Sequence, residues 1–293
     1  MFRSIALFLL TSVACCASVA AERGALAQLD IQGHRGARGL MPENSMPAFT
    51  KALSLQVPTL ELDLQLTQDH VFVVHHDAKL DPKRCVYDDG HKVENQAIDQ
   101  LRYEALVQID CGRLVDSRFP RQQTVTATRI PRLQDVLALA RGADYPVRLS
   151  IEIKWSKRHD GVTEEAYAQQ LLALLKQYGM TQRTIVQSFH APALRAVESI
   201  DPTIKRAILV RQPEKYDAAV QQSRATILSP RYDRLRRPDV ERFQRQGIAV
   251  IPWTVNEPAD LCRMIAWNVN GVITDYPDRA MQLVDSHSCN NAK

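Results

Sequence analysis

The chain has 293 residues and a formal net charge of +4, with 37 basic and 33 acidic side chains. The basic residues are scattered among the acids and form no block of the kind that follows a nucleic-acid backbone, which argues against a general nucleic-acid binder. The length suits one large domain or two small ones, and α/β barrels commonly fill about this length as a single domain.

The N-terminus has the layout of a secretory signal peptide. Arg3 precedes an apolar run over residues 5–14, and Ser18-Val19-Ala20 supplies a small-x-small cleavage pattern. The apolar run is short for a membrane span, so we expect no stable one. We therefore predict a signal peptide over residues 1–20, a mature domain over residues 21–293 and a periplasmic or secreted protein.

Cysteine usage agrees with an oxidising compartment. Four cysteines remain after the predicted cleavage, and an even number there predicts disulfide bonds with three possible pairings. We prefer the pairing of Cys85 with Cys111 and of Cys262 with Cys289, because it keeps each bridge local. None shows the close spacing of a zinc site. Cys15 could indicate a lipoprotein anchor, but the residue three positions before it is not the large aliphatic that such processing favours.

A glycine-rich loop follows the first predicted strand, which lies near Ile31. Residues 33–39 read Gly-His-Arg-Gly-Ala-Arg-Gly. His34 titrates near neutral pH, and Arg35 offers a fixed fork of donors, so the pair suits an anionic substrate. Taken alone, the segment is more simply a turn with a surface histidine and arginine.

The next two elements are a helix and a strand with unusual acids. Residues 44–56 have apolar side chains at helical spacing, with Asn44 or Ser45 as the N-cap. Residues 59–66 alternate strictly, so that four leucines share one face while Glu61 and Asp63 share the other. In a parallel barrel the leucines would pack under the helices and the acids would point inward, where uncompensated carboxylates are costly.

Residues 71–77 are strand-like but follow the previous strand after only four residues. So short a link makes the two strands antiparallel, because parallel neighbours need a crossover of about a dozen residues or more. We therefore predict a hairpin arm that is not a barrel strand. Residues 80–128 show no clean periodicity, and we interpret them as a small insertion after the second strand.

The remaining chain alternates regularly between strands and helices. Strands are predicted at residues 148–154, 184–188, 205–210, 225–229, 248–253 and 271–274, with helices at residues 132–141, 164–178, 192–199, 213–222, 238–246 and 258–267. With the two early strands this makes eight parallel strands, the count of a (β/α)8 TIM barrel. No dinucleotide or Walker pattern follows any strand, which argues against nucleotide cofactors.

Active-site groups of such barrels lie at the C-terminal ends of the strands. Glu61, Asp63 and Glu152 would all point inward there and would repel one another unless a cation lay among them. Oxygen ligands alone favour Mg²⁺ or Ca²⁺ over zinc. The alternative is that Lys154 and Arg35 neutralise these acids as buried ion pairs.

Sequence motifs in this order resemble those of the glycerophosphodiester phosphodiesterase family over almost the whole mature chain. The matching motifs are His34-Arg35-Gly36, Pro42-Glu43-Asn44-Ser45, Glu61-Leu62-Asp63, His76-Asp77, Ile130-Pro131-Arg132-Leu133, Ile151-Glu152-Ile153-Lys154, Gln187-Ser188-Phe189, Trp253-Thr254-Val255-Asn256 and Gly271-Val272-Ile273-Thr274-Asp275-Tyr276-Pro277. Two departures are minor: Ser45 stands where the family usually has threonine, and Asn270 stands where aspartate is common. The aligned histidine is His76, so the side chain of His75 should point to the opposite face.

The resemblance implies metal-dependent hydrolysis of glycerophosphodiesters to glycerol 3-phosphate and an alcohol. It implies these roles: His34 and His76 as the acid/base pair, Arg35 and Lys154 as phosphate-binding residues, and Glu61, Asp63 and Glu152 as ligands of one divalent cation, Mg²⁺ or Ca²⁺. Family precedent suggests attack by the glycerol 2-hydroxyl through a cyclic phosphate, and direct attack by water is the alternative.

Other residues at the predicted strand ends have simpler interpretations. Trp253 either lines the substrate pocket or packs within the barrel. We interpret Asn256 and Asp275 as N-caps of the helices that follow. His190 lies near the mouth without an assigned role. The remaining histidines are interpreted as solvated: His70, His91, His159 and His287.

Two other functions remain open. A lysophospholipase D or sphingomyelinase D-like activity would share the barrel, both histidines and the acidic site, and a wide apolar face at the mouth would favour it. A phosphodiester-binding protein without turnover is the non-enzymatic alternative. The presence of both His34 and His76 argues against that alternative, because a binder needs no pair of proton-transfer groups.

Overall fold

The computed structural model describes residues 29–156, 161–286 and 288–291. The predicted signal peptide over residues 1–20 lies outside these ranges, as do His159 and His287. No helix in the described ranges is long and apolar enough to cross a membrane.

Eight parallel strands form the centre of the molecule, as the sequence predicts. In chain order the strands are β1 (Asp30–Gly33), β2 (Thr59–Leu66), β3 (Phe72–Val74), β4 (Val86–Tyr87), β5 (Ile109–Asp110), β6 (Arg148–Ile153), β7 (Thr184–Ser188), β8 (Lys205–Val210), β9 (Ile227–Pro230), β10 (Ala249–Val250) and β11 (Gly271–Thr274). The parallel strands are ordered β10-β9-β8-β7-β6-β2-β1-β11. Each strand pairs with its neighbour in chain order once the hairpin arm and insertion are set aside.

Backbone hydrogen bonds between the two outermost strands bring the sheet close to a full cylinder. The N–H of Ile273 donates to the carbonyl of Pro252, and the N–H of Val255 donates to the carbonyl of Ile273, each at 2.9 Å. Regular β10 is shorter than the predicted strand over residues 248–253, although the N–H groups of Ile251 and Trp253 still donate to the carbonyls of Leu228 and Pro230, each at 3.0 Å. The (β/α)8 TIM-barrel prediction is confirmed.

Helices alternate with the barrel strands. They are α1 (Met46–Ser54), α2 (Tyr103–Leu106), α3 (Leu133–Arg141), α4 (Glu164–Gln177), α5 (Ala191–Ile200), α6 (Tyr216–Ser223), α7 (Arg237–Arg245), α8 (Pro258–Ala266) and α9 (Pro277–Asp285). The side chain of Ser45 accepts from the N–H of Ala48, so Ser45 is the N-cap of α1. The predicted helix over residues 213–222 begins as a 3-10 turn, Pro213–Lys215, and continues as α6.

The alternation of β2 places its acids inside the barrel. Its four leucines are buried against the helices, and every residue of the strand is buried. Because β2 and β6 are parallel neighbours, Asp63 lies directly opposite Glu152 in the register. Burial of the leucines thus fixes the strand in the one register that turns the acids toward the barrel axis.

On the far wall, inward side chains form an apolar layer below the mouth. This layer contains Ile185, Ala207, Ile227, Ile251 and Ile273, all buried. Side chains of a strand return to the same face every second residue, so the positions two and four residues further along point to the same interior. The barrel is therefore apolar near its base and polar near its C-terminal mouth.

The hairpin arm is confirmed. Strand β3 is antiparallel to β2, with Leu64 opposite Val74 and Leu66 opposite Phe72. Arm and barrel share a core, because Phe72 and Val74 are buried in the same cluster as the leucines of β2.

Residues 80–128 contain β4, β5 and α2 and build a small apolar cluster of their own. Buried members include Leu80, Ile98, Leu106 and Ile109, which pack together with Val73 of the arm. A disulfide joins Cys85 to Cys111 within this segment. The second disulfide joins Cys262 to Cys289 at the C-terminal end. Both pairs match the preferred pairing.

Candidate active site

His34 is the first residue after β1 and stands at the mouth of the barrel. Its N–H donates to the carbonyl of Thr274 at 2.8 Å, which ties the loop to β11. A side chain at position 33 could not fit, because a Cβ atom there would lie 2.1 Å from the carbonyl oxygen of Gly36. Arg35 and Gly36 both have positive φ angles, 52° and 85°. The glycines therefore allow the tight turn that delivers His34 and the backbone N–H of Arg35 to the site.

Asp275 holds the ring of His34. Its Oδ1 lies 2.6 Å from Nδ1 of His34 and also accepts from Nε of Arg38 at 2.5 Å. Burial and the positive charge of Arg38 lower the pKa of His34 to about 4, although Asp275 opposes the shift. With Nδ1 engaged, Nε2 of His34 is the nitrogen left for chemistry, and it lies 4.0 Å from Oε2 of Glu61.

Asp275 and Asn256 are not N-caps, contrary to the sequence interpretation. The N-cap positions of α8 and α9 are Glu257 and Tyr276, and neither uses a side-chain cap. Asn256 instead donates its amide to Asp275 at 2.7 Å. The carboxylate of Asp275 therefore orients His34 at the end of the neighbouring strand and does not cap the following helix.

Three buried carboxylates form the acidic cluster. Each of Glu61, Asp63 and Glu152 has an oxygen within 4.8 Å of an oxygen of the others, so the set could hold a metal ion. Glu61 and Asp63 lie two residues apart on β2, and Glu152 faces them from β6. The structure thus brings together all three residues that the sequence proposed as ligands.

The cluster has fewer positive charges than carboxylates. Lys154 lies 3.0 Å from Oδ1 of Asp63 and 2.8 Å from Oε2 of Glu152, and Arg35 Nε lies 3.2 Å from Oδ2 of Asp63. Glu61 accepts only neutral donors at these distances: the backbone N–H of Arg35 at 2.8 Å and the amide of Gln187 at 2.7 Å. Ion pairing by Lys154 and Arg35, the structural alternative, accounts for Asp63 and Glu152 and leaves Glu61 without a cation in contact among the described residues.

The pKa values reflect this imbalance. Burial and the charge of Asp63 raise the pKa of Glu61 well above its ordinary value. Burial raises the pKa of Glu152 to about 7, although Lys154 opposes the shift. Lys154 and Arg35 hold the pKa of Asp63 well below its ordinary value against the effect of burial. An oxygen-only set with excess negative charge fits a hard divalent cation.

His76 faces the site from the hairpin arm and is held in the same way as His34. Its Nδ1 lies 2.7 Å from Oδ1 of Asp77, which again leaves Nε2 available. The ring of His76 is 33% exposed, whereas His75 is buried. The two histidines therefore differ in exposure, and the direction of the His75 side chain stays a prediction.

Arg84 connects the insertion to both sides of the site, and no motif in the sequence points to it. Its guanidinium contacts the carboxylates of Asp77 and Glu43. Glu43 in turn accepts from Nη1 of Arg35 at 2.8 Å. A chain of alternating charges thus runs from Asp77 through Arg84 and Glu43 to Arg35, and His76 contacts its first member. No periodicity marks Arg84, since it lies in irregular backbone.

Trp253 follows β10 and His190 follows β7, both at the C-terminal end of the barrel. The indole N–H of Trp253 donates to the carbonyl of Ser229 at 2.8 Å, and its ring meets that of Phe189 edge to face at 5.7 Å. His190 lies 2.8 Å from Glu164 and stacks on Trp155. His190 is therefore engaged by Glu164 and Trp155.

Fold and site together define a (β/α)8 barrel whose mouth holds three clustered acids that could bind a cation, together with two histidines that are each anchored by a carboxylate. Such an arrangement combines charge neutralisation with two proton-transfer groups.

Comparison with known proteins identifies the family. The model of the glycerophosphoryl diester phosphodiesterase family matches residues 34–279, and the chain belongs to this family of enzymes. A Caldanaerobacter subterraneus protein named glycerophosphodiester phosphodiesterase is 32% identical over 86% of this chain and 96% of its own. A Bacillus subtilis protein of the same name is 29% identical over 84% and 83% of the two chains.

Solved structures agree on the fold. A crystal structure from Silicibacter pomeroyi DSS-3 superposes with a TM-score of 0.83 at 30% identity and covers 89% of this chain and 94% of its own. An Oleispira antarctica phosphodiesterase, solved with sn-glycerol-3-phosphate as its product, has a TM-score of 0.73 at 21% identity, covering 89% and 99% of the two chains.

Proposed function

We propose that this protein hydrolyses glycerophosphodiesters to glycerol 3-phosphate and an alcohol. Family membership supports the reaction class. The observation that carries the proposal is the arrangement of His34 and His76, each with Nδ1 on a carboxylate and Nε2 available, around three clustered acids. A phosphodiester needs both functions, because its phosphoryl oxygens carry charge and its leaving alcohol needs a proton.

Glu61, Asp63 and Glu152 would hold one divalent cation, Mg²⁺ or Ca²⁺. When bound, the cation supplies Lewis-acid stabilisation of the phosphoryl oxygens. Arg35 and Lys154 add fixed positive charge beside the same carboxylates, where they offset charge on the phosphate. In this proposal Trp253 lines the substrate pocket on the opposite wall.

His34 and His76 form the proton-transfer pair. One imidazole takes the proton of the attacking hydroxyl as its oxygen bonds to phosphorus, and the other protonates the departing alcohol oxygen. The attacking group is the glycerol 2-hydroxyl, which gives a cyclic phosphate that water then opens, or it is water itself. Phosphorus NMR of the reaction mixture separates these routes, because only the first produces a cyclic glycerol phosphate.

Release of glycerol 3-phosphate from glycerophosphocholine tests the proposal. We expect turnover by the parent protein and a loss of about 10²-fold or more in kcat for both His34→Ala and His76→Ala. His91→Ala is the matched control, since His91 is an exposed histidine of the insertion. Full activity of His34→Ala or of His76→Ala would show that the replaced histidine does not transfer a proton in the reaction.

Parallel assays separate the alternatives. Preferential cleavage of lysophosphatidylcholine would favour the lysophospholipase D alternative, and substrate binding without any product would favour the non-enzymatic one. The lysophospholipase D alternative is included because a human relative named lysophospholipase D is 23% identical to this chain.

The periplasm or the cell exterior is the proposed location. Two disulfides support it, because such bonds persist in oxidising compartments. Mass spectrometry of the mature protein from its native host tests the proposal and the cleavage after Ala20. An uncleaved N-terminus on a protein with reduced cysteines would contradict it.

A further inference from the structure

Three side chains form a rim at the C-terminal mouth that begins beside the acidic cluster, just after β7, and continues past β8 to β10 across the barrel, and we call them the far rim: Phe189, Arg211 and Trp253. They lie just beyond β7, β8 and β10. Phe189 is two residues beyond Gln187, whose amide contacts Glu61, and alternation puts both on the inner face. The same alternation puts Arg211 on the inner face, four residues after the inward Ala207, and Trp253 two residues after the inward Ile251.

Contacts within the far rim hold the guanidinium of Arg211 in place. Its Cζ lies 4.2 Å from the centre of the Phe189 ring and 5.7 Å from that of Trp253. A guanidinium over aromatic faces is held by the ring quadrupoles while its edge donors stay free. The aromatic pair thus orients a positive charge at the barrel mouth.

Other cations at the mouth that the structure describes have carboxylate partners. Arg35 and Lys154 pair with Asp63, Arg38 pairs with Asp275, and Arg231 pairs with Asp233 at 2.5 Å. Arg211 differs, because it forms no ion pair with any residue in the described ranges. Its charge is therefore available to a ligand.

The exposure of the far rim indicates which arm of a substrate it meets. Phe189 is 38% exposed and Arg211 is exposed, in contrast to the buried acidic cluster. When the phosphate of a diester lies at the acidic cluster, the two organic groups esterified to it, which we call the glycerol arm and the alcohol arm of the substrate, extend in opposite directions from the phosphorus. The glycerol arm is common to all substrates, whereas the alcohol arm varies, and an open rim suits the variable arm.

On the basis of the proposed function, we propose that Arg211 is a specificity-determining residue that favours glycerophosphodiesters with a negatively charged alcohol arm. The aromatic side chains of the far rim already hold one cation, so a quaternary ammonium arm meets a like charge there. A second phosphate or a carboxylate on the arm meets the edge donors of Arg211.

Three substrates with arms of different charge test this inference. They are bis(glycerophospho)glycerol with a phosphodiester anion on the arm, glycerophosphoglycerol with a neutral arm, and glycerophosphocholine with a cationic arm. The readout is the kcat/KM ratio of the anionic to the neutral substrate. The first substrate has two equivalent scissile bonds, which doubles its apparent kcat/KM. This factor is the same for parent and variant, so it cancels when their ratios are compared.

We expect Arg211→Gln to lower that ratio about three- to fivefold at low ionic strength, in the range of a partly exposed ion pair. Arg211→Lys should retain most of the ratio, and 0.5 M salt, roughly the regime of strong screening, should weaken it in the parent. Glycerophosphocholine should become a better substrate of Arg211→Gln. Arg195→Gln is the matched control, because Arg195 is an exposed arginine on α5.

An unchanged ratio in Arg211→Gln, with all three substrates still cleaved, overturns this inference and leaves the proposed function intact. A parent protein that cleaves none of the three overturns both. Equal thermal midpoints of the variants confirm that each is folded.

Discussion

Nδ1 of His34 lies 2.6 Å from Oδ1 of Asp275, which joins the first barrel strand to the last across 241 residues of sequence. The contact fixes the tautomer and the orientation of the ring, and Arg38 and Asn256 fix the carboxylate in turn. A positioning carboxylate of this kind contributes to catalysis without contacting substrate.

Replacing Asp275 should therefore slow turnover more than it alters binding. We expect Asp275→Asn to lower kcat on glycerophosphocholine by about 10²-fold, because the amide cannot stabilise a charged imidazole. KM should change little. Asp278→Asn is the control, since Asp278 lies three residues further along, in the first turn of α9, and pairs with the exposed Arg121. Equal kcat values for the two variants would show that Asp275 does not position His34.

The two disulfides should differ in their effect on activity. Cys85 is bonded to Cys111 and lies directly after Arg84, which contacts Asp77 and Glu43. Loss of that bridge should loosen Arg84 and through it the ring of His76. We expect the Cys85→Ala/Cys111→Ala variant to lose about tenfold or more in kcat/KM at a temperature where it is folded.

The bridge between Cys262 and Cys289 provides the control. It closes a loop of similar length, with a sequence separation of 27 against 26, but it lies at the C-terminal end. Its removal should cost a similar amount of stability, about 2–4 kcal/mol, with kcat/KM almost unchanged. Equal activity loss in both double variants would indicate a general effect of instability and not a role for Arg84.

Asp110 should make the insertion pH-sensitive. Its buried carboxylate accepts from the backbone N–H groups of Gly112, Ala127 and Thr128 at 3.0, 2.8 and 3.2 Å. Burial alone would raise the pKa of Asp110, but these three donors lower it below its ordinary value. A lowered pKa in the folded state means that the stabilisation is complete above the unfolded pKa and is lost as pH falls through the folded one.

We therefore expect Asp110→Asn to lose about 2 kcal/mol of unfolding free energy at neutral pH. The difference from the parent should shrink as pH falls below about 4, the unfolded pKa of aspartate. Urea unfolding at several pH values measures it. A difference that stays constant or grows toward acid pH would contradict the assigned role of the carboxylate.

The sequence predicted the elements whose patterns are set by burial. In β2 the leucines are buried against the helices, so strict alternation places Glu61 and Asp63 inside the barrel. The parallel register with β6 then places Glu152 opposite Asp63. The disulfides followed from local spacing. These features depend on one secondary-structure element or on two neighbouring ones, so short stretches of sequence are enough to predict them.

Long-range side-chain contacts were not predictable in the same way. Asp275 has the sequence context of an N-cap, and its contact with His34 depends on closure of the barrel. Arg84 lies in irregular backbone whose path is set by the disulfide and a small apolar cluster. That Arg211 has no carboxylate partner among the described residues can be seen only once the partners of the other cations at the mouth are known.

Metal-dependent release of glycerol 3-phosphate tests the proposed mechanism most directly. Protein dialysed against a chelator should not cleave glycerophosphocholine, and added Mg²⁺ or Ca²⁺ should restore the activity. Glu61→Gln should keep less than about one hundredth of the parent activity at the same metal concentration. Glu94→Gln, at an exposed acid of the insertion, should match the parent. Undiminished turnover in chelator, or in Glu61→Gln, would contradict a cation held by Glu61, Asp63 and Glu152.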